Sequence, residues 1–261
     1  MKTRFKSIFL SGLLLTGTFS AFAQSSGHIS YEVVRKTDPS GMRIMINGEQ
    51  VKPGDPNFPA DVPDTRTFGQ KVTFSGNFAK ESRDEQNAVV RTFVQGGGGP
   101  PRTTNMGRPF EEQTFLDFVN LKTITQLTVG KAKEAKTYQA ETPVKRTTGW
   151  QSSEQTRKIA GYNCKKATVP FKNETYTVWF TTELPLTYSP IPDLMPEKGV
   201  VLLIEGSGEQ FKASKVSLHV VDDREVTPTE GAEHVAAEKL ADLRQKAVAD
   251  FQQQLMTRER N

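Results

Sequence analysis

The chain is 261 residues long, 35% hydrophobic and 25% charged, with 34 Lys and Arg against 30 Asp and Glu, three histidines and one cysteine. That length suits one domain, or two modest ones, with a real core. A single cysteine excludes an internal disulfide, a Cys-x-x-Cys redox pair and a cysteine-rich zinc site.

Met1 to Ala23 has the three parts of a secretory signal peptide: Lys2, Arg4 and Lys6, then the apolar run Ile8 to Phe19, then the Ala21-Phe22-Ala23 cleavage site. The apolar run is shorter than the ~20 residues needed to span a bilayer. The sequence therefore predicts an exported chain that begins at Gln24 and is not an integral membrane protein. Removing three basic residues lowers the net charge from +4 to +1. A nucleic-acid partner, which calls for a concentrated basic surface, loses its support. From Lys131 to Lys172 ten basic residues face three acids, but they alternate with apolar residues as on the solvated face of strands.

Ile29, Tyr31 and Val33 alternate with polar residues, and Met42, Ile44 and Ile46 repeat the pattern, ahead of turn chemistry at Asn47-Gly48. Val51 to Asp64 is rich in Pro, Gly and Asp and reads as an irregular loop. Its aspartates lack the spacing of an EF-hand. Phe68 to Phe78 and Ala88 to Val94 read as strands, and Gly96 to Pro101 as a loop tip without the features of a phosphate-binding loop. Thr114 to Val129 gives two β-rich segments, and Ala135 to Thr142 an extended one.

The stretch from Arg157 to Ile204 organises the chain. Ile159, Gly161 and Tyr162 open it, with Gly161 marking a bulge or a close backbone approach. Lys165 to Val169 continues the strand, and a Lys172-Asn173 turn leads to its partner. There Tyr176, Val178 and Phe180 share one face and Trp179 takes the other. Pro190, Pro192 and Pro196 forbid a regular ladder. Val200 to Ile204 is an apolar run suited to a buried strand, and Phe211 to Val221 alternates again after a Gly206-Ser207-Gly208 turn. Thr227-Pro228-Thr229-Glu230 has helix-start chemistry. Val235, Leu240, Leu243, Ala247, Phe251 and Leu255 follow at helical spacing.

Lys158, Ile159, Gly161, Tyr162, Cys164, Lys166 and Ala167, followed by Trp179, Phe180, Thr181, Leu184 and Pro185, resemble the central pattern of the GLPGLI family of exported Bacteroidetes-type proteins. The family's name motif is replaced here by Leu194-Met195-Pro196-Glu197-Lys198-Gly199-Val200-Val201. The resemblance implies an antiparallel envelope β module without a common activity. It also implies a likeness to an accessory N-terminal domain of a bacterial peptide N-glycanase.

No His-x-x-x-His pair and no G-x-S-x-G elbow is present. His219, near Asp222 and Asp223, reads first as an ordinary strand-end histidine, and Cys164 as a small buried hydrophobe. The sequence thus predicts a mainly β protein, an antiparallel meander forming a curved sheet or half-barrel with a C-terminal amphipathic helix. Residues 1–23 are the signal peptide, 24–226 the β domain and 227–261 the helix. The expected function is that of a periplasmic or secreted, non-catalytic module that binds an apolar ligand or an envelope protein. Trp179, Leu194 and Met195 would line the ligand site, and no cofactor or metal is expected. A structural or protein-interaction module is the alternative, with a hydrolase behind both.

Overall fold

The computed structural model describes residues 26–37, 44–46, 49–51, 54–56, 64–84, 89–92, 102–105, 108–130 and 134–258. The signal segment, Met42, the Asn47-Gly48 turn and the Gly96–Pro101 tip lie outside the described residues.

The chain is mainly β. In order, the strands are β1 (Gly27–Lys36), β2 (Ile44–Ile46), β3 (Glu49–Val51), β4 (Thr65–Ser75), β5 (Phe78–Arg83), β6 (Val89–Thr92), β7 (Arg102–Asn105), β8 (Phe110–Asp117), β9 (Lys122–Val129), β10 (Lys136–Pro143), β11 (Gln151–Ile159), β12 (Tyr162–Phe171), β13 (Glu174–Thr181), β14 (Val200–Glu205), β15 (Glu209–Leu218) and β16 (Glu233–His234). Among the described residues two α-helices accompany them, α1 (Asp223–Val226) and α2 (Ala237–Arg258). β2 pairs with β3 and β6 with β7 in two small ribbons. The remaining twelve strands form one sheet in the order β11-β12-β13-β14-β15-β1-β4-β5-β8-β9-β10-β16. All its pairings are antiparallel except that of β10 with β16.

The sheet must curl. β10 and β11 lie ten strand positions apart, about 48 Å in a flat sheet at ~4.8 Å per strand. Residues 144–150 alone connect them, a step that an extended chain covers to at most about 29 Å. The connection runs between the two halves: Val144 N–H donates to Leu121 O and Thr147 N–H to Asp193 O, each at 2.8 Å. Trp150 then packs edge-on against Phe180 with ring centres 6.3 Å apart.

The hairpins follow from local chemistry. Lys172 and Asn173 have φ of 49° and 63°, a left-handed pair that reverses β12 into β13. Ala160 and Gly161 (φ 48° and 94°) do the same between β11 and β12. Gly161 therefore sits in a turn, and the run from Arg157 to Val169 is two strands rather than one. The bulge lies between Ser152 and Thr156 instead.

The inner face carries Ile29, Tyr31, Val33, Val72, Phe74 and Ala79, all at most 2% exposed. The loop after β13 fills the space above them. Leu184, Tyr188, Ile191, Leu194 and Met195 are buried in the same cluster as these strand residues. On β8–β10, α2 takes over that covering role, with Leu240 and Leu243 packed against Leu127, Ala140 and Phe110. The Thr227–Glu230 sequence does not start this helix. Thr227 closes α1, its N–H donating to Asp223 O at 3.0 Å. Thr229 N–H donates to Gln126 Oε1 at 3.2 Å, and Val235 N–H to Gln139 O at 2.8 Å. With those backbone groups engaged by the sheet, the helix begins at Ala237.

Candidate functional site

Three inner-face side chains and one loop side chain form a polar group inside the curl. Tyr31 on β1 stands opposite Gln70 on β4. Glu81 on β5 stands opposite Val72, one inward position from Gln70. Tyr188 descends from the loop onto all three. Its hydroxyl donates to Glu81 Oε1 at 2.7 Å, and its ring lies 6.2 Å from that of Tyr31. Tyr31 donates to Val201 O at 2.8 Å, tying β1 to β14. Gln70 is 1% exposed, with its side-chain amide beside the Tyr188 hydroxyl.

The electrostatics favour neutral forms. Glu81 keeps some exposed surface, yet its carboxyl is densely surrounded. Burial raises its pKa, against the opposing effects of the Tyr188 hydrogen bond and the Arg83 charge. Burial, then the Glu81 charge, raises Tyr188 well above an ordinary tyrosine. Tyr31 is raised well above its ordinary value by burial, with Glu81 and Cys164 adding to it. These groups hold a loop in place and offer no ready nucleophile. Gly199 completes the closure. Its φ is +103°, and a Cβ there would stand 2.4 Å from Thr181 O, so glycine alone fits where the loop re-enters the sheet.

Of the three predicted ligand residues, Leu194 and Met195 sit in this packed interior, whereas Trp179 lies on the opposite face of the sheet, in the row Lys166, Trp179, Leu203 and Lys212. Leu194 is fully buried and Met195 is 1% exposed, with Sδ 4.0 Å from Arg146 Nη2. Trp179 is 8% exposed. Arg157 and Lys166 stand over its ring at 5.9 and 6.0 Å, and among the described residues its indole nitrogen has no partner. All three belong to one buried cluster. A cleft of about 320 Å³ lies elsewhere, against Lys136, Thr229, Gly231 and Glu233. Cys164 is fully buried, with its thiol pushed up to about 11, first by burial and then by Glu183. It is therefore a poor nucleophile.

His219 meets a second histidine rather than a carboxylate. Its ring lies 5.0 Å from that of His28 in an edge-to-face arrangement. Asp222 instead binds Arg224, and Asp223 accepts from Ser75 Oγ at 2.6 Å. Sequence reasoning missed Tyr188, Glu81 and Gln70. Their partners are 107 residues apart in the case of Tyr188 and Glu81, and no local spacing links them.

Fold and interior together define a curled, mainly antiparallel β module whose concave side is plugged by its own chain. The chain belongs to the family described as N-glycanase peptide, N-terminal domain, whose model matches residues 101–240. The solved structure of PNGF-II in its P21 crystal form superposes with a TM-score of 0.50 at 14% identity, covering 85% of this chain and 34% of that one. Its C2 form gives 0.48 at 14% identity, covering 84% and 33%. The chain thus spans about a third of the length of PNGF-II. Comparison with curated proteins finds no match.

Proposed function

We propose that this protein is an exported, non-catalytic envelope module that works by binding a partner through its surface rather than by carrying a ligand inside. The observation that carries this reading is the filled interior. Tyr188 and Leu194 are fully buried and Met195 nearly so, in the space a carried apolar molecule would need. Membership of a family described as an N-terminal domain supports an accessory role, since a region of this fold makes up about a third of PNGF-II. The signal-like first 23 residues support export, and the Lys158–Pro185 pattern supports kinship with the GLPGLI proteins. Among the described residues no helix is long and apolar enough to cross a membrane.

Native mass spectrometry of the protein purified from its own host's envelope, with lipid extraction in parallel, tests the reading. The expected result is the mass of the bare chain. A stoichiometric apolar molecule that is lost in Leu194→Ala or Trp179→Ala would overturn it in favour of a carrier.

A further inference from the structure

The outer face of the central strands carries charge that the interior does not explain. On this face Lys71 (β4), Ser30 (β1) and Lys215 (β15) form one cross-strand row. The two lysine backbones therefore stand about 10 Å apart, within reach of a common point above Ser30. The next row on the same face is Thr73, His28 and Ser217. His219 closes it, with its ring 5.0 Å from that of His28. Burial, and then the neighbouring Lys71, His219 and Lys215, lower the pKa of His28. Among the described residues neither Lys71 nor Lys215 forms an ion pair.

The carboxylates nearby are otherwise placed. Glu32 stands opposite Lys212, one row further along. Asp223 is bonded to Ser75, and Lys80 on β5 stands over the Phe115 ring at 5.5 Å. Two imidazoles alone would suit a transition-metal ion. Two unpaired ammonium groups beside them repel one and attract an anion. Ser30, Thr73 and Ser217 add hydroxyl donors on the same surface.

We propose that His28, His219, Lys71 and Lys215 form a binding site for a tetrahedral oxyanion, the phosphate or sulfate group of an anionic glycan or lipid. The bound anion neutralises the lysines and draws a proton onto the His28 imidazole, so binding strengthens as pH falls through the His28 titration. The site lies on the face opposite the plugged interior, so its failure would leave the proposed function standing.

The test follows the histidine side-chain resonances by NMR during titration with inorganic phosphate and with sulfate at constant ionic strength, with chloride as control. The expected result is a saturable shift of both rings and a rise in the His28 titration midpoint. Affinity should fall at least tenfold in Lys71→Ala/Lys215→Ala, whose exposed lysines leave the fold intact. A sulfated polysaccharide and vesicles containing phosphatidylglycerol are then compared as competitors, and displacement of phosphate by either identifies the natural source. A shift matched by chloride, or one unchanged in the double variant, would overturn the proposal. So would saturable binding of zinc with no response to phosphate.

Discussion

A tyrosine hydroxyl and a carboxyl group joined across 107 residues set the strongest constraint at the residue scale. Replacing Tyr188 with Phe leaves a densely surrounded carboxyl without its donor, at a cost of about 1–3 kcal/mol. The pH response has a definite sign. Folding raises the Glu81 pKa, so the folded state prefers the protonated acid. The stabilisation is full below the ordinary carboxylate range and is lost as pH rises through the raised folded value. Urea denaturation of wild type and Glu81→Gln between pH 4 and 8 checks this. The difference between the two should shift with pH in the variant's favour as pH rises, and a pH-independent difference would remove Glu81 from the account.

Sequence pattern reached some of these residues and not others. Cys164 was legible as a buried hydrophobe because it sits in a strand without a histidine beside it. Leu194 and Met195 were legible as apolar residues of a Pro-rich loop, and Trp179 as the aromatic on the other face of its strand, but none of them as buried. That prolines prevent a ladder says nothing about which way a loop then folds. Here it folds inward, and its Pro192–Leu194 turn of 3₁₀ helix points Leu194 into the sheet. Gln70 and Glu81 carried no signal, since polar residues on a strand ordinarily mark the solvated face.

At the scale of the element, α2 is a covering helix with one buried stripe. Leu240 is 3% exposed, whereas Arg244 reaches Glu112 at the surface with Nε 2.7 Å from Oε2. Leu240→Ala should cost about 2–5 kcal/mol, and Arg244→Ala at most about 1 kcal/mol. Equal losses in thermal or chemical denaturation would mean that the helix is held by its charges rather than its stripe. The periodicity from Leu240 onward announced this helix well. Its start was misplaced because the Thr227–Glu230 signal is local, while the hydrogen bonds that override it come from Gln126 and Gln139, about a hundred residues earlier. The chain before α2 crosses the opposite face, where Val221 O accepts from Ser75, and then adds β16 to the β10 edge. The C-terminal part thus grips that edge from both sides, which also protects it from pairing with another chain.

At the scale of the whole molecule, the curved antiparallel sheet was legible from alternation and turn residues, but its strand order was not. The meander β11–β15 and the series β4, β5, β8, β9 and β10 meet at β1, which pairs with β15 on one side and β4 on the other. Nothing local to Gly27–Lys36 names a partner near residue 215. Hydrogen exchange would show whether the two groups of strands open separately. If the β1–β15 pairing is the line along which they part, amides bonded across it should exchange faster than those between β12 and β13 while both are native. Uniform protection would make the sheet a single cooperative unit.

The position of β1 also bears on the order in which the chain is made. Ser30 and Ser214, bonded across that line, are separated by 184 residues. One side of the first strand therefore waits for 184 further residues before its neighbour exists. A chain built this way cannot complete its main sheet until residues as far as β15 and β16 have been made or threaded, so a translocation channel that accepts only unfolded polypeptide would meet a substrate whose architecture postpones its own closure.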